Sequence, residues 1–459
     1  MTSSRAAAEA PAPTADANRA PPRIAFEQID FAKIAQHMYA LMLRNVASDG
    51  FPFRDLYGNF SKPGCVIAAP SYPANNHDVD QDYVYNWVRD AAITVVEIAA
   101  AEAGDGGDTE PLVDYVTFAK LCQDTARPTL GHAAFKVDGT PRCWTEQNDG
   151  PAIQTLAILT FFERLDAQTR ATALAVMQKN VDYIATVYRE PTRNLWEEKD
   201  GLSFFARAVQ LACLRAVMAS KVGLDVPQAT GEAIAWLEAA LAAHWNGAIY
   251  MTMLATPAPG EASRPAVGPN DGYDPNVDIV CAAIYGAVPV TDPKLLATAA
   301  ALRAQWADRG AACYPINSAD KAIGLGPLLG RYPGDVYDGD VAMPVRGGHP
   351  WALCTANFAE LYYRLANAIA RDTHVPLDEQ SSPFFAQIGV VAGASADAAI
   401  TALREAGDAM LRAIVYHSDH LELSEQFDGT SGYEKSVRNL TWSYAAFLSA
   451  VRARTGGII

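Results

Sequence analysis

Asn194-Leu195-Trp196-Glu197-Glu198 runs through Gly201-Leu202-Ser203-Phe204-Phe205 into an Ala- and Leu-rich stretch with apolar residues at helical spacing over 202–222. The same arrangement, a polar and aromatic turn that opens a helix, recurs along the chain. Helical periodicity predicts twelve helices, at 31–47, 90–103, 112–126, 150–165, 171–188, 202–222, 231–245, 276–286, 293–308, 351–371, 396–416 and 440–454, while alternating strand patterns are scarce. Trp87-Val88-Arg89-Asp90 leads into the second, Trp144 to Asp149 into the fourth, and Trp196-Glu197-Glu198 into the sixth. Asp271 to Asn276 precedes the eighth, Arg331 to Pro350 the tenth, and Glu425 the twelfth. Every such cluster therefore precedes an even-numbered helix. If helices alternate up and down around a ring, all these turns emerge at one mouth. An open stack of hairpins would spread them along a ridge and show a fixed-period repeat, which this sequence lacks. The expected fold is all-α, an (α/α)6 barrel.

The 459 residues are half hydrophobic, enough for a sizeable core. A formal net charge of −16 argues against nucleic acid and anionic membrane as partners and fits a neutral substrate. No apolar run approaches the ~20 residues of a membrane span. Residues 1–24, rich in Ala, Pro, Thr and Ser with no signal-peptide core, read as a disordered tail before one catalytic domain over 25–459. The seven cysteines form no CxxC pair and mostly lie in apolar surroundings, so they read as buried thiols. The eight histidines show no ligand spacing, and no metal or phosphate-binding loop is expected. Unpaired cysteines and the absence of a signal favour the cytoplasm, the alternative being a periplasmic or secreted protein whose signal is absent from this numbering, and a monomer is expected.

Two carboxylates held across a pocket are what glycosidic cleavage needs, one to protonate the leaving oxygen and one to activate water. Glu197, beside Trp196, is a candidate for the first role, since a ring that desolvates a carboxyl raises its pKa. Glu425 in Leu423-Ser424-Glu425-Gln426-Phe427 is a candidate for the second. Tyr83-Val84-Tyr85-Asn86-Trp87-Val88-Arg89-Asp90 offers rings for the C–H faces of a sugar and an ion pair for its hydroxyls. Each member also has a plainer reading: Glu197 and Glu198 as charges at a helix start, Asp90 and Asp149 as N-caps, Arg89 as a surface residue.

As a set these segments resemble the glucoamylases, glycoside hydrolase family 15. The resemblance is carried by Pro63 to Ser71, Asp82 to Asp90, Val137-Asp138-Gly139, Asn148 to Ala152, Leu195 to Glu198 and Ser203-Phe204-Phe205. It continues through Gly330-Arg331-Tyr332-Pro333 with Asp335 and Tyr337, Pro350-Trp351, Ser424-Glu425-Gln426 and Leu440 to Tyr444. It covers about 30 to 455 in the family's order. It implies the (α/α)6 barrel and inverting release of glucose from non-reducing ends of α-glucans or malto-oligosaccharides, with no cofactor or metal. By position, Glu197 matches the general acid and Glu425 the general base. Arg89 and Asp90 would hold the terminal glucose; Tyr83, Trp87, Trp144, Trp196, Glu198, Arg331 and Trp351 would shape the first subsites; Gln426 would support the base.

Thr145-Glu146-Gln147-Asn148 is one residue shorter than the fungal pattern and lacks its Arg-Pro, which touches linkage and chain-length preference. The loop over 254–275, with Arg264, has no residue-by-residue counterpart. With no starch-binding module after the last helix, poor attack on raw granules is expected. The alternatives within the class are a trehalase or an α-1,6-directed glucosidase. Outside it stand a non-catalytic sugar-binding protein, which would not need both glutamates, and a sugar epimerase, which would rely on histidines such as His132 or His349.

Overall fold

The computed structural model describes residues 29–71, 82–103, 107–256, 265–266, 271–306, 310, 312–339 and 348–457. The tail expected over 1–24 and Arg264 lie outside them. The described residues carry α1 (Phe31–Leu43), α2 (Val88–Ala101), α3 (Glu110–Thr125), α4 (Gly150–Phe161), α5 (Ala167–Val187), α6 (Phe204–Ala219) and α7 (Thr230–Ala242). These are followed by α8 (Asp278–Ile284), α9 (Pro293–Trp306), α10 (Pro315–Ala322), α11 (Ala352–Asp372), α12 (Ser382–Ala386), α13 (Ala396–His417) and α14 (Thr441–Arg454).

A helix that is apolar on all sides must be surrounded by protein. Six fit that description best. All seven residues of α8 are buried, as are nearly all of α14 and most of α2, α4, α6 and α11. These six pack in sequence, α2 on α4, α4 on α6, α6 on α8, α8 on α11, α11 on α14, and α14 back on α2, which closes a ring. Outside it, α1 packs on α14, α3 and α5 on α2 and α4, α7 on α6, α9 on α8, and α13 on α11. The outer helices bury one stripe each, as in α1, where Phe31, Met38 and Met42 face inward. This is the (α/α)6 barrel, and its inner ring is made of the even-numbered helices of the twelve expected.

One helix was not anticipated, the short α10 between expected helices; the stretch 375–392, expected to be irregular or to hold a short extra helix, holds α12, which packs on α9. Eight and five residues are too few to display a period. The sixth expected helix begins two residues late because Asp200–Ser203 is a strand. It is one of several short ribbons that pin the starts of inner helices. They are β1 (Asn86–Trp87) with β2 (Ala134–Phe135), β3 (Thr192–Arg193) with β4 (Asp200–Ser203) and β5 (Met253–Leu254), and β6 (Gln426–Phe427) with β7 (Glu434–Lys435), all antiparallel. β1 feeds directly into α2 and β4 into α6. Ser203 then caps α6, its Oγ accepting from Ala206 N at 3.2 Å, a contact worth about 1 kcal/mol. Phe204 and Phe205 are buried beneath it, each contributing roughly 1.5–3 kcal/mol.

Candidate active site

The segments that open five of the six inner helices, all but α8, meet around a cavity of about 1000 Å³. Eleven of the twelve residues singled out in the sequence line it: Tyr83, Trp87, Arg89, Asp90, Trp144, Trp196, Glu197, Glu198, Arg331, Trp351 and Glu425. Gln426 does not. It is fully buried in β6, and its side chain donates to the Tyr337 carbonyl at 3.0 Å rather than to Glu425.

Glu197 sits at the turn between β3 and β4 with φ of +63°, a conformation that costs a non-glycine residue roughly 1–3 kcal/mol. Asn194, itself fully buried, holds that turn. Its carbonyl accepts from Glu197 N at 3.0 Å, and its Oδ1 accepts from the backbone N–H of Glu198 and Lys199 at 2.9 and 3.0 Å. The consequence is a carboxylate aimed into the cavity, with Oε1 accepting from Trp87 Nε1 at 2.6 Å and Oε2 from Trp144 Nε1 at 2.5 Å. The rings against Glu197 are thus Trp87 and Trp144, not the Trp196 expected from adjacency. The turn points Trp196 the other way, to donate to Asn276 Oδ1 at 3.0 Å and pack on Trp351. Neither glutamate caps α6, since Ser203 does.

Glu425 is 4 % exposed. Its Oε1 accepts from the Tyr83 hydroxyl at 3.0 Å, and its Oε2 accepts from the Tyr337 hydroxyl at 3.0 Å and from Ser436 Oγ. Burial raises its pKa above the usual range, against the opposing pull of Ser436, Tyr337 and Tyr83. Burial also pushes both tyrosine hydroxyls far above their ordinary values, so they remain donors at any working pH. The Tyr83 and Trp87 rings lie 5.8 Å apart, one bonded to each glutamate. Among the described residues these hydrogen bonds of the two carboxylates go to different partners.

Asp90 is inside α2, not at its cap, and Arg89 is 5 % exposed rather than on the surface. Arg89 Nη1 donates to Gln147 Oε1 at 3.0 Å and to Asp149 Oδ2 at 2.9 Å. Asp149 therefore spends its carboxylate on Arg89 instead of capping α4. Burial, with the nearby charges of Glu197 and Asp149, raises Asp90 to about 6 against the pull of Arg89. Asp90 Oδ2 and Arg89 Nε, 3.6 Å apart, make no hydrogen bond among the described residues, nor does Trp351 Nε1. All three atoms are buried, and the first two form an ion pair with each other. Across the cavity, Arg331 grips Asp335 through two bonds of 2.8 and 2.7 Å and reaches Glu198 Oε1 at 2.8 Å. Glu198 Oε2 also accepts from Tyr332 and Tyr273 hydroxyls, at 2.8 and 3.2 Å.

Several contributors carried no assigned role in the sequence. Tyr337 and Asn194 stand inside quoted segments, and their neighbours were the only signal. Ser436 lies eleven residues from Glu425, and only the β6–β7 hairpin brings it back. Arg142, next to Cys143, also lines the cavity. Of the seven cysteines, all free, five are buried as expected, whereas Cys143 is exposed and Cys313 half-buried. His132 and His349 do not touch either glutamate; His132 Nε2 pairs with the Arg127 carbonyl, and His349 Nδ1 accepts from Gly429 N. Among the described residues no group of three or more His, Cys, Asp or Glu is placed to hold a metal, and no helix is long and apolar enough to cross a membrane.

Known proteins are similar to this chain in sequence and in fold. A probable glucoamylase of Schizosaccharomyces pombe is 28% identical over 435 residues, covering 90% of this chain and 88% of that protein. Glucoamylase 1 of Rhizopus oryzae is 29% identical over 432 residues, covering 87% and 68%. In fold, the chain is similar to the glucoamylase from Saccharomycopsis fibuligera, with a TM-score of 0.78 at 23% identity over 96% of this chain and 98% of that one. The Hormoconis resinae glucoamylase gives 0.74 at 23% identity, covering 93% and 73%. The sequence model of the family described as glycosyl hydrolases family 15 matches residues 41–452, which takes in every inner helix and both glutamates, and the chain belongs to that family.

Proposed function

We propose that Glu197 is the general acid and Glu425 the general base of an exo-acting α-glucan hydrolase that inverts the anomeric centre and releases β-glucose. Exo-acting hydrolysis of α-glucans is the activity of this chain as a glycoside hydrolase of family 15. The observation that carries the roles is the placing of the two carboxylates. Glu197 precedes α6 and Glu425 precedes α14, helices three steps apart in a ring of six, so the two face each other across one cavity. An inverting pair needs roughly 6.5–9.5 Å between its carboxyl groups, so that a water molecule fits between base and anomeric carbon. Glu197, held by two indoles, protonates the departing oxygen. Glu425, held by three hydroxyls, takes a proton from water. Arg89 and Asp90, both on the cavity wall, suit the hydroxyls of the terminal glucose, and the rings of Tyr83, Trp87, Trp144, Trp196 and Trp351, with Glu198 and Arg331, shape the sites around it.

Two carboxylates and a water supply the reaction, so no cofactor enters it. We take residues 25–459 as one catalytic unit acting as a monomer without nucleic acid or membrane partner. The seven free cysteines favour the cytoplasm. Proton NMR of maltose hydrolysis in its first minutes tests the reading, and β-glucose is expected first. Initial α-glucose would refute the inverting pair. Rates on isomaltose and trehalose, run beside maltose, rank the linkages.

A further inference from the structure

We propose that the leaving-group side of the cavity prefers α-glucosides whose aglycone carries an anion, a carboxylate or a phosphate, received by Arg142 and Lys136. The proposal deepens the reading above and rests on Glu197 as the acid. The chain carries a net charge of −16, and the cations deep in its cavity are answered by carboxylates. Arg89 meets Asp149 at 2.9 Å, and Arg331 meets Asp335 and Glu198 at 2.7 and 2.8 Å. Arg142 and Lys136 line the same cavity, yet neither forms an ion pair among the described residues. Aromatic faces hold them instead. Arg142 Cζ is 4.0 Å from the Tyr85 ring centroid, 4.7 Å from Trp144 and 5.1 Å from Trp87. Lys136 Nζ is 4.4 Å from the centroid of Tyr57. Stacking occupies the face of a guanidinium and leaves the N–H groups at its edge to donate.

Their position fixes which part of the substrate they meet. Trp87 and Trp144 are the two rings that hold Glu197. Arg142 lies against both, on the acid's side, while Glu425 approaches from the opposite wall. The group that departs with the proton of Glu197 leaves past Arg142 and Lys136. Asp82, on the same wall, accepts from Val84 N at 3.3 Å and also attracts Arg142 electrostatically, but as one carboxylate against two cations it leaves the trio with a net positive charge.

Maltobionate and maltitol test this. They share the α-1,4-glucosyl group and an open-chain aglycone, and differ at one carbon, a carboxylate against an alcohol. We expect kcat/KM for maltobionate to exceed that for maltitol by about fivefold at low salt, the size of one or two partly exposed ion pairs. The advantage should shrink in 0.5 M NaCl through screening. Arg142→Gln and Lys136→Gln should each bring the ratio towards one, and Arg142→Lys should keep most of it. A second pair, maltose and maltose phosphorylated on its reducing unit, shows whether phosphate or carboxylate is preferred. A wild-type ratio of one or less for both anions, with maltose still hydrolysed, overturns the inference alone. So does a ratio that neither Gln variant changes. An equal loss on both partners of a pair would make Arg142 only a clamp for Trp144. If maltose itself yields no glucose, the glucosidase reading falls and takes this inference with it.

Discussion

Tyr337→Phe removes one oxygen from the wall of the cavity and puts the assignment of Glu425 at risk. The Tyr337 hydroxyl donates to Glu425 Oε2 at 3.0 Å and also touches the Tyr83 hydroxyl at 3.0 Å. Phenylalanine keeps the ring, so its packing 5.8 Å from Trp351 and beneath Arg331 survives. What disappears is a donor to a buried carboxylate. Such a bond is worth roughly 1.5–3 kcal/mol, and 1.36 kcal/mol corresponds to one pKa unit. Burial already raises the Glu425 pKa, and three hydroxyl donors oppose that rise. Loss of one destabilises the charged form, so the pKa moves up again, by at most about 1–2 units. A general base works only when ionised. The acid limb of kcat/KM against pH, which reports the free enzyme, should therefore shift to higher pH by that amount. Below the limb the rate on maltose should fall roughly 10–100-fold relative to the parent, while the plateau changes far less. Ser436→Ala should shift the limb in the same direction, because Ser436 Oγ donates to the same oxygen. An acid limb that stays in place in both variants, or moves to lower pH, refutes Glu425 as the base whose ionisation sets it.

Glu197→Gln keeps an acceptor for the indole N–H of Trp87 or Trp144 but has no proton to give; turnover of maltose should drop by at least ~10² while binding of maltose, measured by calorimetry, persists. Retained activity within about tenfold would exclude it as the donor. Asp90→Ala should lose most of kcat/KM for every α-glucoside tried, with a small change in Tm, because Asp90 caps nothing; unchanged kinetics with earlier melting would make it structural. Asp278, fully buried at the start of α8, has its pKa raised to about 7 by burial, against ~3.9 for the unfolded chain. The native state then holds a proton that the unfolded state gives up, so this contribution is complete below pH ~4 and is lost as pH rises through about 7. Tm should decline over that window, and Asp278→Asn should flatten the decline; a variant whose Tm falls with pH as steeply as the parent's contradicts this.

The barrel was legible because the signal was repeated. One acidic turn before one helix says little, but six such turns, each before an even-numbered helix, leave a ring as the simplest arrangement. The inner helices show why the pattern exists: α8 and α14 are buried nearly all round because other helices enclose them, and in five of the six inner helices the opening segment lines the cavity. What sequence could not show was direction. Trp196 adjoins Glu197, yet a left-handed residue at 197 sends the two side chains to different partners, and the contacting rings come from residues 53 and 110 positions away. Gln426 adjoins Glu425, yet it begins β6, where its side chain donates to the Tyr337 carbonyl instead of to Glu425. Ser436 reaches Glu425 only through that hairpin.

The two glutamates therefore differ in how their chemistry is built. Glu197 depends on a strained turn, and Asn194 is what makes the turn affordable, binding one N–H through its carbonyl and two through its side chain. Glu425, whose backbone is not left-handed, depends on hydroxyls brought from three separate segments, at 83, 337 and 436. An acid must present its proton at one angle to a departing oxygen, which places the demand on backbone geometry. A base must remain charged while buried, which places the demand on donors. The side chains around each residue answer the demand of its proposed role, and exchanging the two environments would leave neither able to perform it.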